Sequence, residues 1–228
     1  MKSFIETVIS KKNKSNFKFD PKVSFSDIIF IFIRNSVKLI RSKTVLGLKN
    51  NKLSFIDRGC RFLHRKNISL AKNVRIGQYC TLSGLGDEGI IMENNVSIGS
   101  FCSIITSTTL NNIGSSIFIG ENVGIGEYSY IGGAGRVSIG KNTITGQYLS
   151  IHPENHTYTD KDKPIRLQKT TREGISIGSN CWIGSKVTIL DGVTIGDNCI
   201  IAAGSVVTKS FQNNSLFAGV PAKLIKNI

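Results

Sequence analysis

Hydrophobic residues return every six positions between residues 175 and 210. This stretch is ISIGSN CWIGSK VTILDG VTIGDN CIIAAG SVVTKS, six units with no change of phase. One column of the repeat holds Ile175, Cys181, Val187, Val193, Cys199 and Ser205, and a second holds Ile177, Ile183, Ile189, Ile195, Ile201 and Val207. Units with a short fixed period bury their apolar side only by stacking on their neighbours. Because six residues fit neither the helical period nor a single hairpin, the pattern predicts short strands joined by tight turns, a β-solenoid.

Three short elements near the C-terminus make the pattern more specific. They are WIGS at 182–185, AGSVVTK at 203–209 and GVPAK at 219–223. Together with the repeat they resemble the hexapeptide-repeat acyltransferases, and most of all the sugar O-acetyltransferases of that family. The resemblance is strong over residues 145–228, moderate over 68–145 and absent from the first 50. It implies an all-β fold, a left-handed parallel β-helix with three six-residue faces per coil, a homotrimer, and acetyl-CoA as cosubstrate.

A weaker form of the repeat begins after residue 50. The positions six apart are Ile56, Phe62, Ile68, Val74 and Cys80. The phase then shifts at 86–95, at 114–116 and at 135–136. The blocks after these shifts are each three units long and begin at Val96, Ile117 and Val137, and the units of the first block start at Val96, Cys102 and Thr108. Three units make one coil in this family, so we expect the inserted residues to stack at one corner of successive coils. About twenty units predict six to seven coils.

The longest interruption of the repeat is the candidate active-site loop, residues 155–174. A long excursion from a regular stack is more often functional than accidental. Of the three histidines, His152 and His156 lie at this loop, and His64 lies far from both in sequence. The resemblance implies a catalytic histidine upstream of the WIGS element, and His156 matches better. His152 is expected to orient the loop or to bind the acceptor, and a merely polar role for His156 stays open.

The resemblance also implies which residues bind the cosubstrate. Trp182 and Ser185 are expected beside the pantetheine arm, with the Ser185 amide as a donor to the oxyanion of the reaction. The remaining expected contacts are Ala203, Gly204, Thr208, Lys209, Pro221, Lys223 and Lys226. Lysine is a suitable phosphate partner, although some family members have arginine at the last two positions. An alternative stays open in which Trp182 and Pro221 only cap the last coils.

The cysteines and the N-terminus indicate a reducing compartment. Of five cysteines, four occupy the small-residue column of the repeat: Cys80, Cys102, Cys181 and Cys199. At such positions a thiol acts as a small buried hydrophobe, and we expect neither disulfides nor a metal site. A metal-dependent solenoid enzyme needs three histidine ligands. Such a site is not expected here, because His64 lies far in sequence from His152 and His156. Residues 1–10 are polar and mixed, unlike a cleavable signal peptide, so we expect the cytoplasm, or the inner face of the membrane.

The net charge of +14 is confined to one part of the chain. Residues 1–75 carry 18 Lys and Arg against 4 Asp and Glu, whereas residues 76–228 carry 11 against 11. Such asymmetry indicates an anionic partner, although a solvated basic surface explains it equally well. Nucleic acid is not expected, because no aromatic–basic interleaving accompanies the charge.

An amphipathic helix is predicted within this basic segment. Residues 1–22 are expected to form a loosely ordered arm, after which Ser24 and Asp27 resemble a capping box. The apolar positions that then share one helical face are Ile29, Phe32, Ile33, Val37 and Ile40. The apolar run is far too short to span a bilayer, which needs about 20 residues. Two alternatives remain, a helix packed on the solenoid or a sister subunit, and a helix lying on anionic lipid. The width of the apolar face favours packing.

These expectations divide the chain into an N-terminal extension (1–50), a β-helical acyltransferase domain (51–210) and a C-terminal CoA-binding tail (211–228). The function expected from the resemblance is acetyl-CoA-dependent O-acetylation of a sugar hydroxyl, on a bacterial surface glycan such as a capsule, exopolysaccharide or lipopolysaccharide, or on its precursor. Two alternatives remain, N-acetylation of a nucleotide-linked amino sugar, and a non-catalytic solenoid that binds membranes or anionic polymers.

Overall fold

The computed structural model describes residues 2–13, 16–46 and 53–228, and it is a left-handed parallel β-helix preceded by two helices. The predicted fold class is therefore confirmed. The expected boundary at residues 50 and 51 lies outside the described residues. The helices are α1 (Lys2–Asn13) and α2 (Phe25–Leu46), with two short 3₁₀ helices at Arg65–Asn67 and Ile165–Leu167.

The strands form three long sheets, here called A, B and C, which are the three sides of the solenoid. Sheet A contains β1 (Ser54–Ile56), β4 (Val74–Ile76), β7 (Ser97–Ile98), β10 (Gly124–Ile125), β13 (Ile144–Thr145), β18 (Trp182–Ile183), β21 (Ile200–Ile201), β23 (Ser215–Gly219) and β24 (Ala222–Asn227). Sheet B contains β2 (Arg61–Leu63), β5 (Thr81–Ser83), β8 (Ser103–Ile105), β11 (Tyr130–Gly132), β14 (Ser150–His152), β19 (Thr188–Leu190) and β22 (Val206–Val207). Sheet C contains β3 (Ile68–Leu70), β6 (Gly86–Met92), β9 (Gly114–Ile119), β12 (Val137–Ile139), β17 (Ile175–Ile177) and β20 (Thr194–Ile195). A separate antiparallel pair joins β15 (Asn155–His156) to β16 (Thr170–Thr171).

The two apolar columns of the repeat form the core because side chains alternate across a strand. In β17, for example, Ile175 and Ile177 are buried, whereas Ser176 between them is exposed. Ile177 lies in register between Ile139 and the next coil's Ile195. Each fully buried isoleucine contributes about 1.5–3 kcal/mol to the free energy of unfolding. The six-residue period is therefore the geometric period of one side of the coil.

Asparagines line the corner between sheets C and A. Each has a left-handed backbone, with φ between 57° and 62°, and they are Asn73, Asn95, Asn122, Asn142, Asn180, Asn198 and Asn214. Asparagine tolerates this conformation better than most residues. The side-chain amides also bond from coil to coil, as from Asn95 Nδ2 to Asn122 Oδ1 (2.9 Å) and from Asn122 Nδ2 to Asn142 Oδ1 (2.9 Å).

The insertions into the repeat fall at the corner between sheets B and C, as expected. The shift at 86–95 corresponds to the irregular start of β6 between Gly86 and Gly89, and the shift at 135–136 lies between β11 and β12. The expected place of the second shift is wrong. Residues 106–113 form a loop between β8 and β9, so Thr108 does not begin a strand unit. This segment is too polar to supply the inward apolar pair that a strand needs.

The four cysteines of the small-residue column are buried in the interior, as expected from their positions, and Cys60 is partly buried. Cys80 Sγ donates to the Gly99 carbonyl of the next coil (3.0 Å), and Cys102 Sγ donates to that of Gly126 (3.2 Å). The hydrogen bond with Cys102, together with burial, raises the pKa of the Cys80 thiol to about 12. A buried thiol with a raised pKa, such as that of Cys80, stays neutral and serves packing rather than chemistry.

The described residues of the N-terminal segment, 2–13 and 16–22, adopt defined structure, which corrects the expectation of a loose arm. Residues 2–13 are helical, and Lys2 Nζ donates to the Val23 carbonyl (2.7 Å). The Glu6 carboxylate accepts a hydrogen bond from the Phe19 amide (2.9 Å). Lys2 and Glu6 therefore bond back onto the chain that connects α1 to α2.

Helix α2 begins with the predicted capping box. Ser24 Oγ accepts from the Asp27 amide (3.1 Å), and Asp27 Oδ2 accepts from the Ser24 amide (2.9 Å). These bonds with Ser24 lower the pKa of the Asp27 carboxyl. No helix among the described residues is both long enough and apolar enough to cross a bilayer.

The expectation that the apolar face of α2 packs on the solenoid of the same chain is wrong, and its packing on a sister subunit stays a prediction. The helix attaches by its basic side, where Arg34, Lys38 and Arg41 surround the buried Asp57 at 3.5, 2.8 and 3.7 Å. The apolar side faces away, and Phe32 and Ile33 are 72% and 56% exposed. A buried carboxylate requires cationic partners, and this requirement decides which side of the helix meets the solenoid.

The end of the chain completes the last coil. Residues assigned to the C-terminal tail form β23, which extends sheet A beyond β21, and β24, which pairs antiparallel with β23. The buried Phe217 stacks on Phe211 with ring centroids 3.9 Å apart and closes the core at this end.

Candidate active site

Two loops meet at the corner between sheets B and C. The short loop is residues 106–113, and the long loop is residues 153–174. Arg172 joins them, because its Nε donates to Glu154 Oε2 (2.6 Å) while Nη1 donates to Asn112 Oδ1 and to the Ile113 carbonyl (2.9 Å each). The guanidinium is largely buried, so this ion pair is stronger than a surface pair. The insertions of two coils thus form one structure.

The long loop has internal order. Its base is the β15–β16 pair, continued by a bond from the Thr157 amide to the Lys169 carbonyl (2.8 Å). At its tip, Gln168 Nε2 donates to the carbonyls of Asp160 and Lys163 at 2.8 Å each. This order supports a loop that holds a side chain in place rather than a simple linker.

His152 ends β14 on the outer side of sheet B. Its Nε2 lies 2.7 Å from Ser150 Oγ, and its ring stacks on Tyr130 with centroids 5.4 Å apart. One ring nitrogen is therefore engaged by a neighbouring hydroxyl. This environment fits the orienting or acceptor-binding role better than that of a free base.

His156 lies on β15 and is exposed. Among the described residues none forms a hydrogen bond with its ring nitrogens. It lines a cavity of about 370 Å³ between the two loops, together with Arg166 and Lys169. A smaller cavity of about 110 Å³ contains His152, and Glu154 borders both. The structure thus places the two predicted histidines in adjoining cavities of one corner.

Three residues of this corner were not predicted from the sequence. They are Tyr130, Glu154 and Arg172. Burial, followed by the nearby Glu154 carboxylate, raises the pKa of the Tyr130 hydroxyl. The sequence contained one usable signal, since Arg172 and Glu154 sit at the two ends of the interruption. Tyr130 occupies an ordinary outward position of the repeat, so nothing in the sequence distinguished it as a site residue.

The residues expected around the thioester lie at a different corner, between sheets A and B. Ser185, Ala203 and Gly204 are all at this corner, on successive coils. Gly204 has φ 74° and open space where a side chain would be, so a ligand can approach its backbone. A Cβ on Gly184 would meet the Ala203 nitrogen at 2.4 Å, which explains the glycine of the WIGS element. Ser185 Oγ donates to Gln147 Oε1 (3.0 Å). The hydroxyl is therefore engaged, and the candidate donor to the oxyanion is the Ser185 backbone amide.

The other expected cosubstrate residues are spread over the last coils. Trp182 is 57% exposed on the outer side of sheet A, in line with Ile200, Leu216 and Lys226. Thr208 and Lys209 lie at the corner between sheets B and C, beyond β22. Pro221 and Lys223 are exposed at the turn and first residues of β24. The structure therefore brings Trp182 near the thioester corner, and it separates Thr208 and Lys209 from that corner by the width of sheet B.

Nothing in the described part of the chain resembles a metal centre, since it contains no group of three His, Cys, Asp or Glu side chains with suitable geometry. Exposed backbone at a glycine, a half-exposed tryptophan and lysines at the end of the solenoid suit a long ligand that carries phosphates. The candidate residues are compatible with a coenzyme of that type.

Comparison with known proteins agrees with this architecture. The profile described as "Bacterial transferase hexapeptide (six repeats)" matches residues 174–209. A "Putative acetyltransferase YJL218W" of Saccharomyces cerevisiae is 33% identical over 158 residues, which cover 68% of this chain and 79% of the yeast protein. The chain belongs to the hexapeptide-repeat acyltransferase family.

Other members of the family match more partially. The "Putative lipopolysaccharide biosynthesis O-acetyl transferase WbbJ" of Escherichia coli is 32% identical over 117 residues, covering 48% of this chain and 60% of that protein. The chain thus spans less than two thirds of this relative. The structure of AntD, an N-acyltransferase from Bacillus cereus in complex with dTDP and 3-hydroxybutyryl-CoA, has a TM-score of 0.53 at 17% identity, covering 82% of this chain and 87% of AntD. At that identity the likeness supports the fold alone.

Proposed function

We propose that this protein is an acetyl-CoA-dependent O-acetyltransferase that modifies a hydroxyl of a sugar, on a bacterial surface glycan or its precursor. The observation that supports it most is the placement of His156, with its ring nitrogens free of described partners, in a cavity large enough for a sugar ring. Membership of an acyltransferase family, and the similarity to the Escherichia coli protein named as a putative lipopolysaccharide biosynthesis O-acetyl transferase, support the same reaction class.

In the proposed reaction His156 acts first as a base. Its neutral imidazole accepts the proton of the sugar hydroxyl while the oxygen attacks the acetyl carbonyl carbon. The Ser185 amide donates to the oxygen that becomes negative. The bond between carbon and sulfur then breaks, and His156 returns the proton to the leaving sulfur. The products are an acetyl ester and a free thiol.

Other side chains prepare this step without taking part in it. Arg172 fixes the two loops, and His152 with Ser150 and Tyr130 forms the wall beside the cavity. Trp182, Ala203, Gly204, Lys223 and Lys226 are proposed to hold the cosubstrate, which supplies the activated acetyl group. The five free thiols support a reducing compartment such as the cytoplasm.

We further propose a homotrimer with active sites between subunits. His156 lies at the corner between sheets B and C, whereas Ser185 and Gly204 lie at the corner between sheets A and B. One side of the coil is about six residues, or roughly 20 Å at 3.3 Å per residue. A base at one corner and a thioester at another therefore require a second copy of the chain to meet.

The experiment is thiol release from acetyl-CoA, measured with the purified full chain and a panel of sugars, glycans and nucleotide sugars. The expected product is an acetyl ester, which mild alkali removes and mass spectrometry detects. An alkali-stable amide on an amino sugar would replace this proposal by N-acetylation. An absence of both turnover and acetyl-CoA binding would favour a non-catalytic solenoid.

A further inference from the structure

Helix α2 carries a large apolar surface that faces away from the solenoid. Seven side chains on it are between 45% and 72% exposed: Ile29, Phe30, Ile31, Phe32, Ile33, Val37 and Ile40. Four of these, Ile29, Ile33, Val37 and Ile40, follow helical spacing and are here called the apolar stripe. Contiguous exposed apolar surface of this size marks an interaction site in a folded protein.

The attachment of the helix determines where the stripe points. Lys38 Nζ lies 2.8 Å from Asp57 Oδ2, and Arg34 and Arg41 flank the same carboxylate. At about 100° per residue, Ile40 lies about 160° around the helix from Lys38. Turning the stripe inward would remove all three cations from a carboxylate that is only 9% exposed. The stripe is therefore held outward.

We propose that the apolar stripe docks on the surface of an anionic lipid bilayer. Apart from Arg34, Lys38 and Arg41, which pair with Asp57, the segment 1–46 carries seven Lys and Arg against three Asp and Glu, so it attracts an anionic surface. Stripe-to-stripe contact between two copies would instead bring two such basic segments together. A helix with an apolar face and basic surroundings lies in the plane of the bilayer interface rather than crossing it.

The charge and the apolar surface have separate roles in this docking. Basic residues of the segment attract the chain to anionic lipid over the screening distance of about 8 Å at physiological salt. The stripe then inserts between headgroups and supplies the apolar burial that retains the chain. The proposal is independent of the acetyltransferase reaction, since none of these residues lies at either corner assigned to it.

The test is flotation of the full chain with vesicles of phosphatidylcholine alone, and of phosphatidylcholine mixed with phosphatidylglycerol. We expect binding to the anionic vesicles that weakens with added salt. The variant Ile33→Ser/Ile40→Ser should bind those vesicles about tenfold or more weakly. The matched control is Leu110→Ser/Tyr158→Ser, which removes two side chains that are 83% and 76% exposed elsewhere. It should bind as the unmodified chain does.

Three outcomes would overturn the proposal. The first is no binding of the unmodified chain to anionic vesicles, and the second is equal loss in the stripe and control variants. The third is a stripe variant that keeps vesicle binding but sediments as a smaller species, which would show that a second copy covers the stripe. Thermal melting of each variant verifies that it folds, and the exposed positions of the substitutions make unfolding unexpected.

Discussion

The asparagines at the corner between sheets C and A combine two properties in one residue type. Each adopts a left-handed backbone that costs most other residues about 1–2 kcal/mol. Five of the seven also donate a side-chain amide hydrogen bond to the next coil, as Asn122 Nδ2 does to Asn142 Oδ1 at 2.9 Å. Glycine would supply the first property alone, and alanine neither.

Substitutions at Asn122 therefore separate the two contributions. Asn122→Gly keeps the φ of 59° without strain and loses only side-chain bonds, so the free energy of unfolding should fall by about 1–2 kcal/mol. Asn122→Ala adds the strain and should cost about 1–2 kcal/mol more. Chemical denaturation of both variants measures the difference. Equal stability of the two variants would contradict a strained corner.

The proposed base gives the sharpest prediction at the level of one residue. His156→Ala should reduce turnover by about 10²–10⁴-fold while acetyl-CoA binding, measured by calorimetry, stays unchanged. His152→Ala should cost less. The control is His64→Asn, which keeps an acceptable residue at a φ of 52° and should leave turnover unaffected. A larger loss for His152→Ala than for His156→Ala would exchange the two roles.

The sequence located these two histidines but not their surroundings. An interruption in a regular repeat can be recognised from the sequence alone. His152 and His156 could therefore be chosen as candidates because they lie at that interruption. Glu154, Tyr130 and Arg172 acquire their roles only when distant coils stack, since Arg172 meets residues 59 and 60 positions away. Local pattern carries no information on such contacts.

At the scale of elements, Arg172 makes the two loops one structure. Arg172→Ala should lower kcat/KM for the acceptor by about 10–100-fold, because small displacements near the reacting groups are costly. Acetyl-CoA affinity should not change. The control is Arg136→Ala, which breaks an ion pair of the same length (2.6 Å to Glu88) whose side chains are 64% and 54% exposed. Equal effects of the two variants would show that the loops do not depend on Arg172.

Helix α2 shows a second limit of sequence pattern. Its cap and its apolar face were predictable from local spacing, but its orientation was not. The apolar face does not pack on the solenoid of the same chain, because Asp57, far along the chain, is buried and attracts the opposite side, whereas packing on a sister subunit stays a prediction. Burial acts to raise the pKa of Asp57, but bonds from Lys38 and the Arg58 amide outweigh it, and the pKa falls below its usual 3.8.

The contribution of Asp57 to stability should therefore depend on pH. A carboxyl with a lowered pKa in the folded state stabilises the fold above its unfolded value, near pH 4, and this stabilisation is lost as pH falls through the folded value. At pH 7 Asp57→Asn should lower the free energy of unfolding, or of local detachment of α2, by about 1–3 kcal/mol. The difference should shrink below pH 4. Hydrogen exchange in α2 measures it, with the exposed Asp162→Asn as control.

For the whole molecule, the repeat alone was enough to predict the solenoid. The two apolar columns of the repeat are the buried residues of the stacked strands, and the glycines and asparagines of the repeat lie at the corners. The family signature also indicated the reaction class. The sequence did not show that His156 and Ser185 lie at different corners of the coil. A one-dimensional repeat does not say which of the three sheets separates two motifs.

That separation leads to a prediction about assembly. Two inactive variants are prepared, His156→Ala and Ala203→Trp, the second placing a bulky side chain on exposed backbone at the thioester corner. If each active site combines one corner from each of two subunits, co-expression of the variants should restore activity. In random cyclic trimers about a quarter of the sites combine the two intact corners, so about a quarter of the normal activity should return.

The comparison is decisive because a site within one chain gives a different result. In that case every subunit of the mixture carries one defect in its own site, and activity stays at the level of the separate variants. Sedimentation of the mixture must show trimers, since a monomer would contradict the assembly before activity is measured. The two variants are also purified separately and then mixed. If activity returns only on co-expression, assembly of mixed trimers restores the sites, rather than transfer of a product between enzymes.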